Sequence, residues 1–137
     1  MNAWNQQLMA TFRATGGKVG GNFEDVPLLI LHTIGAKTGE PRENPLVYQA
    51  KGTGFVVFAS GGGAPRDPDW FHNLLAFPEA VVEVGTEAID VVARVAEGDE
   101  RDYLWDLQRR IIPAFADQQA ATSRTIPVVV LERAAAP

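Results

Sequence analysis

Lys37, Thr38 and Arg42 stand close together in "GAKTGEPRENP", residues 35–45, and their chemistry suits an anion. An arginine presents a planar fork of donors and a lysine a compact charge, which together fit a phosphate. A second stretch, "SGGGAPRDPDW", places Ser60 before Gly61, Gly62 and Gly63, with Arg66 shortly after. Successive glycines let backbone N–H groups turn toward a ligand and let it come close. Composition alone leaves a plainer alternative open, in which both stretches are exposed turns with solvated cations.

Several other chemistries are excluded. In a P-loop the lysine follows the second glycine, whereas Lys37 precedes Gly39. No G-x-G-x-x-G follows a strand and no βαβ alternation exists, which argues against a nicotinamide enzyme. Ser60 has no G-x-S-x-G around it, so a serine hydrolase is unsupported. The absence of cysteine removes disulfides, thiolate metal sites and cysteine nucleophiles, and fits a reducing cytoplasm. With only His32 and His72, no histidine-rich metal site is expected.

The 137 residues point to one domain over 1–137, with an N-terminal helix and Gly-rich joint over 1–20 and a barrel over 28–132. A formal net charge of −5 argues against a nucleic-acid binder with a broad basic face. The charge is uneven, since residues 27–68 carry +1 and the remainder −6. No stretch is long and apolar enough for a signal peptide or a membrane span.

The elements that must position these residues follow from periodicity. Trp4, Leu8 and Phe12 mark one stripe of an N-terminal helix, which "GGKVGGNF" ends. "PLLILHTI", "NPLVYQA", "FVVFAS", "AVVEV", "EAIDVVARV" and "TIPVVVLE" read as six strands, mostly in hairpins. Asp67 and Pro68 are expected to cap and open a helix over "DWFHNLLAF", and Asp99 to cap "DERDYLWDLQRRII". Pro113 interrupts that helix before "AFADQQAAT". The pattern predicts an α+β domain, a six-stranded antiparallel barrel with short helices inserted.

Three stretches, "LLILHTIGAKTGEPRENPLVY", "VFASGGGAPRDPDWFHNLLAFPEAVVEV" and "RTIPVVVLE", carry a family resemblance. The spacings G-x-K-T-G-x-P-R-x-x-P and G-G-A-x-x-x-P-x-W-[FY]-x-N-L resemble the deazaflavin-dependent nitroreductase family, split β-barrels that bind reduced coenzyme F420. The resemblance runs from Leu28 to Glu132. It implies that Lys37 and Arg42, with Thr38, hold the cofactor phosphate. Ser60 and Gly61 to Gly63 would lie beside the deazaflavin and its phosphate linker. Pro45 and Tyr48 would line the ring pocket, and Trp70 and Asn73 would close the phosphate side. For Trp70 a core role fits equally, and Asn73 reads more simply as a hydrogen-bond partner of a neighbouring loop.

This chain departs from the family in two places. Some members carry a lysine where Gly61 stands here, so one phosphate partner is expected to be either absent or replaced by Arg66. The nitroreductase branch presents tyrosines over the substrate, where this chain has Ile112, Phe115 and Gln118. The resemblance therefore implies an F420-dependent reductase passing hydride to a planar, apolar, electron-poor acceptor, an unsaturated lactone, enone or quinone. Ser60, or solvent, would hydrogen-bond the acceptor carbonyl as negative charge builds on it. The alternative is a non-catalytic carrier of F420, flavin mononucleotide or another apolar ligand. The N-terminal helix packs on the barrel, covers the substrate mouth with residues 16–21 as hinge, or makes a weak membrane contact. His32, inside an apolar run, reads as a satisfied core histidine, and His72 as a solvated helix residue.

Overall fold

The computed structural model describes residues 3–20 and 26–134. Its elements run α1 (Ala3–Thr15), β1 (Leu28–Ile34), β2 (Pro41–Lys51), β3 (Gly54–Phe58), a single 3-10 turn (Gly61–Gly63), α2 (Asp69–Ala76), β4 (Glu79–Val84), β5 (Glu87–Val95), α3 (Gly98–Ile111), α4 (Ala114–Ala120) and β6 (Val128–Arg133). The six strands close an antiparallel barrel in the order β1-β2-β3-β6-β5-β4.

Strand alternation sorts the core into three clusters. Leu29 and Leu31 of β1, Phe55 and Val57 of β3, and Val129 and Leu131 of β6 point inward, where Trp70, Phe71 and Leu74 of α2 join them. The intervening Val56, Phe58, Val128 and Val130 face outward, under Leu104 and Trp105 of α3 and Phe115 of α4. Leu28 and Ile30 face outward on the other side, under Met9 and Phe12 of α1. Apolar runs such as "LLIL" are thus buried on both faces.

The predicted α1 stripe is shifted. Met9 and Phe12 are buried and Leu8 is half-buried, but Trp4 is 65% exposed, so the contact keeps Phe12, adds Met9 and leaves Trp4 outside. Packing on the barrel is the arrangement α1 adopts. Burying two such side chains contributes roughly 1.5–3 kcal/mol each. Gly16 and Gly17, at φ 68° and 99°, stop the helix, and the Gly17 N–H bonds the Phe12 carbonyl at 2.8 Å in a Schellman closure. The remainder of the expected hinge reaches Gly21, which lies outside the described residues.

β2 begins earlier than the sequence implied. Pro41 pairs with Ile34 and Arg42 with Thr33, so the β1–β2 connection is only residues 35–40 and Arg42 is a strand residue. From Pro41 to Val47 the strand pairs with β1, and from Tyr48 onward it pairs with β3. Pro41 and Pro45 fall in the half without a β3 partner, where a missing N–H interrupts no ladder. The capping expectations also change. Pro68 and Glu97 precede α2 and α3, and neither helix has a side-chain cap; Asp99 sits inside the first turn of α3.

Candidate functional site

The β1–β2 turn is built around Thr38. Gly35 and Glu40 close it through N–H to carbonyl bonding at 2.8 Å, and the Thr38 hydroxyl accepts the Glu40 N–H at 3.2 Å. A Cβ on Gly35 would stand 2.6 Å from that hydroxyl and would displace Thr38 from its bond to the Glu40 N–H. Arg42 lies over the turn on long bonds, 3.4 Å to Thr38, 3.2 Å to the Pro41 carbonyl and 3.4 Å to Glu40. Such distances are weak, and its side chain is 44% exposed.

Asn73 fixes the turn to α2. Its side-chain oxygen accepts the Ala36 N–H at 2.9 Å and its amide donates to Thr33 at 3.1 Å, so a buried asparagine holds the loop as the simpler reading expected. Between this turn, α1, α2 and residues 66–69 lies a cleft of about 620 Å³ that gathers Lys37, Thr38, Arg42 and Arg66 with His72 and Asn5. The acidic neighbours Glu43 and Asp67 are occupied, by Arg13 at 2.5 Å and Arg124 at 2.7 Å. Lys37 and Arg66 have no ion-pair partner among the described residues. Asp69 also lines the cleft with no ion pair among the described residues and offsets them in part, so the cleft keeps a small excess of positive charge.

The glycine turn lies beyond Asp67. Gly61, Gly62 and Gly63 all have positive φ, of 54°, 70° and 88°. Their roles differ. A Cβ on Gly62 would meet nothing within 4 Å, whereas one on Gly63 would stand 2.9 Å from the Gln118 carbonyl. Gly63 is thus glycine because α4 rests on it. Ser60 is 8% exposed, and its carbonyl accepts from the Gly63 N–H at 2.9 Å.

Arg124, to which the sequence reading assigned no role, organises this turn. Its guanidinium donates to the carbonyls of Ala59 at 3.0 Å, Ser60 at 2.7 Å and Ala64 at 2.9 Å, and to Asp67 at 2.7 Å. Three of those acceptors are backbone atoms, which leave no trace in residue types. Asp67 is therefore an ion-pair partner and not a helix cap.

The structure separates other expected neighbours. Pro45 and Tyr48 differ by an odd number of positions along β2. Tyr48 faces the barrel interior with Phe55, 5.4 Å between centroids, and alternation puts Pro45 on the outer face. One planar ring cannot rest on both. Trp70, at 4% exposure, is a core aromatic. Phe115 is sealed between Phe58 and Trp105, 5.6 and 6.4 Å away, so it supports the barrel wall and does not present a face to a ligand. Ile112 is half-buried against the same cluster. Gln118 is half-buried too, and its Oε1 is buried without a hydrogen-bond partner among the described residues.

His32 is hydrogen-bonded as expected, but its side chain is 34% exposed, so it is not the core histidine its apolar run suggested. Its Nε2 lies 2.5 Å from Glu83, which also takes Arg13 at 2.6 and 3.1 Å. These hydrogen bonds, Arg13 first, hold the Glu83 carboxyl at about 2 against its burial and push the Arg13 guanidinium up. Glu43 completes a carboxylate–imidazole group with His32 and Glu83, but Arg13 supplies its cation.

Residues 4–133 match the model of the F420H(2)-dependent quinone reductase family. An F420H(2)-dependent quinone reductase of Mycobacterium tuberculosis is 40% identical over 128 residues, 90% of this chain and 86% of that protein. A solved F420-H2 dependent reductase is 36% identical with a TM-score of 0.71, over 77% of this chain and 94% of that one. A chain solved as a domain-swapped dimer is 32% identical with a TM-score of 0.73, over 93% of this chain and 95% of that one. With its closed six-stranded barrel and its cation cleft, this chain belongs to the F420H(2)-dependent quinone reductase family, oxidoreductases whose cofactor is coenzyme F420.

Proposed function

We propose that this chain holds reduced F420 along the cation cleft and the glycine turn and directs its hydride to a flat apolar acceptor, with quinones foremost and unsaturated lactones or enones in the same class. The observation that carries the reading is the gathering of Lys37, Arg42 and Arg66 in one cleft, next to a turn whose Gly62 stands in open space. A phosphate-bearing group fits that arrangement. Its charge meets Lys37 and Arg66, which have no ion-pair partner among the described residues, and the Arg42 fork, held only loosely to Glu40, Thr38 and the Pro41 carbonyl, is free to exchange partners. Bound F420 supplies the hydride at C5 of its ring; the protein's task is to position and to shield it.

No acid–base residue is required, since one hydride and one solvent proton turn a quinone into a hydroquinone. Ser60 is the proposed donor to the acceptor oxygen as negative charge builds there. Ile112 and Gln118 are proposed to border the acceptor, with Phe115 behind them. They lack the hydroxyls a nitro group would use, so a nitroimidazole is a poor fit. Fluorescence titration with F420 and flavin mononucleotide, then turnover of a naphthoquinone, a coumarin-type lactone and a nitroimidazole at saturating F420H2, tests the proposal. Tighter F420 binding and preferred quinone turnover are expected. Equal flavin binding would overturn the cofactor assignment, and binding without any turnover would make the protein a carrier.

A further inference from the structure

We infer that Arg124 is a positioning residue for the cofactor, one that aims the Gly61 and Gly62 amides and sets their distance from the cation cleft. The inference rests on the proposed placement of F420 and assigns a role to a residue outside both loops. Its side chain is only 15% exposed, and it spends its donors on three carbonyls and one carboxylate.

The consequence follows from peptide geometry. In a trans peptide the C=O of one residue and the N–H of the next point in opposite directions. No peptide bond among the described residues is cis. Because Arg124 takes the Ser60 carbonyl at 2.7 Å, the Gly61 N–H must point away from Arg124. The Gly61 carbonyl accepts from Ala64 at 3.3 Å, which turns the Gly62 N–H outward as well. Neither N–H is used in the turn's own hydrogen bonds. Two adjacent outward amides backed by a guanidinium form a positive concavity suited to an anion or a carbonyl oxygen.

Arg124 also couples two parts of the site. Through Asp67 it holds the segment that carries Arg66 and leads into α2, and α2 in turn holds the β1–β2 turn through Asn73. One fork therefore fixes the spacing between the glycine amides and Lys37, Arg42 and Arg66. Lysine preserves the charge but cannot span these acceptors with one planar group.

The test compares wild type, Arg124→Lys and Asp67→Asn in the full chain, by F420 titration and by amide hydrogen exchange at Gly61 and Gly62. Arg124→Lys should weaken F420 binding about 10- to 100-fold, the scale of losing charged hydrogen bonds, and lysine should give no rescue. Exchange at the two glycines should change in the same variant before ligand is added. Asp67→Asn, which keeps the carbonyl bonds, should leave that exchange unchanged while weakening F420 binding. Affinity within twofold of wild type in Arg124→Lys, with wild type binding normally, would overturn the inference and leave Arg124 a structural brace. If wild type binds no F420, the placement of the cofactor fails by itself. Unchanged glycine exchange in Arg124→Lys then overturns the role of Arg124 independently.

Discussion

Arg13 of α1 grips Glu83 of β4 with two bonds, Nη2 at 2.6 Å and Nε at 3.1 Å, and the same Nη2 reaches Glu43 of β2 at 2.5 Å. One guanidinium thus ties the N-terminal helix to two strands of the barrel. Glu43 lines the cation cleft, so the tie also decides where an acid of that cleft spends its charge.

Glu83→Gln should lower the melting temperature by a few degrees, consistent with about 1 kcal/mol for a partly exposed ion-pair group in a network. The pH dependence has a definite sign. Because the folded Glu83 carboxyl titrates at about 2, below its ordinary 4.5, its contribution is full above 4.5 and fades as pH falls toward 2. The stability difference between wild type and Glu83→Gln should therefore shrink across that interval. A difference that grows on acidification would show that Arg13 does not stabilise the charged form.

Gly62 and Gly63 should separate binding from folding. Gly63→Ala places a Cβ 2.9 Å from the Gln118 carbonyl and 3.0 Å from the Ala121 Cβ at a φ of 88°, so it should destabilise the protein by roughly 2–4 kcal/mol. Gly62→Ala meets no neighbour and carries only the left-handed backbone cost, roughly 1–2 kcal/mol. Gly62→Ala should stay folded and lose F420 affinity, which melting curves and a titration distinguish.

The fold was legible because strand alternation and turn residues are written in residue types. "LLILHTI" could be read as a strand without knowing its neighbours, and its pairing with β2 followed from adjacency. The cations Lys37 and Arg42 were legible for a similar reason, as charges flanked by glycine and proline. Arg124 was not, because its importance lies in carbonyls 60 and more residues away. Trp4 and Phe115 misled in opposite directions. Periodicity alone does not tell Trp4's side of α1 from that of Met9, and an aromatic at a substrate position in relatives carries no mark of burial here.

Phe115→Ala tests that last point. A buried phenylalanine packed on Phe58 and Trp105 should cost about 3–5 kcal/mol when truncated, and α4 should loosen with it. Thermal melting should show the loss directly. A small stability change with a large rise in the Michaelis constant for a quinone would instead make Phe115 a substrate contact.

Arg42→Ala is expected to act on the ligand and not on the fold. The guanidinium sits at the start of β2 with bonds of 3.2–3.4 Å and a side chain 44% exposed, so little native energy is at stake. Exposed pairs of this kind contribute about 0–1 kcal/mol. A charged hydrogen bond to a bound phosphate is stronger, roughly 1.5–3 kcal/mol, or on the order of 10- to 150-fold in dissociation constant. Part of that is Coulombic, so the gap between wild type and variant should narrow as salt rises past about 0.15 M, where screening acts within about 8 Å. Lys37→Ala should show a smaller loss with a steeper salt dependence, because a point charge gives less directional bonding than a fork. Titrations of both variants at low and high salt decide the matter. Unchanged affinity in Arg42→Ala at low salt would make this cation a solvated rim residue and move the phosphate grip to Lys37 and Arg66.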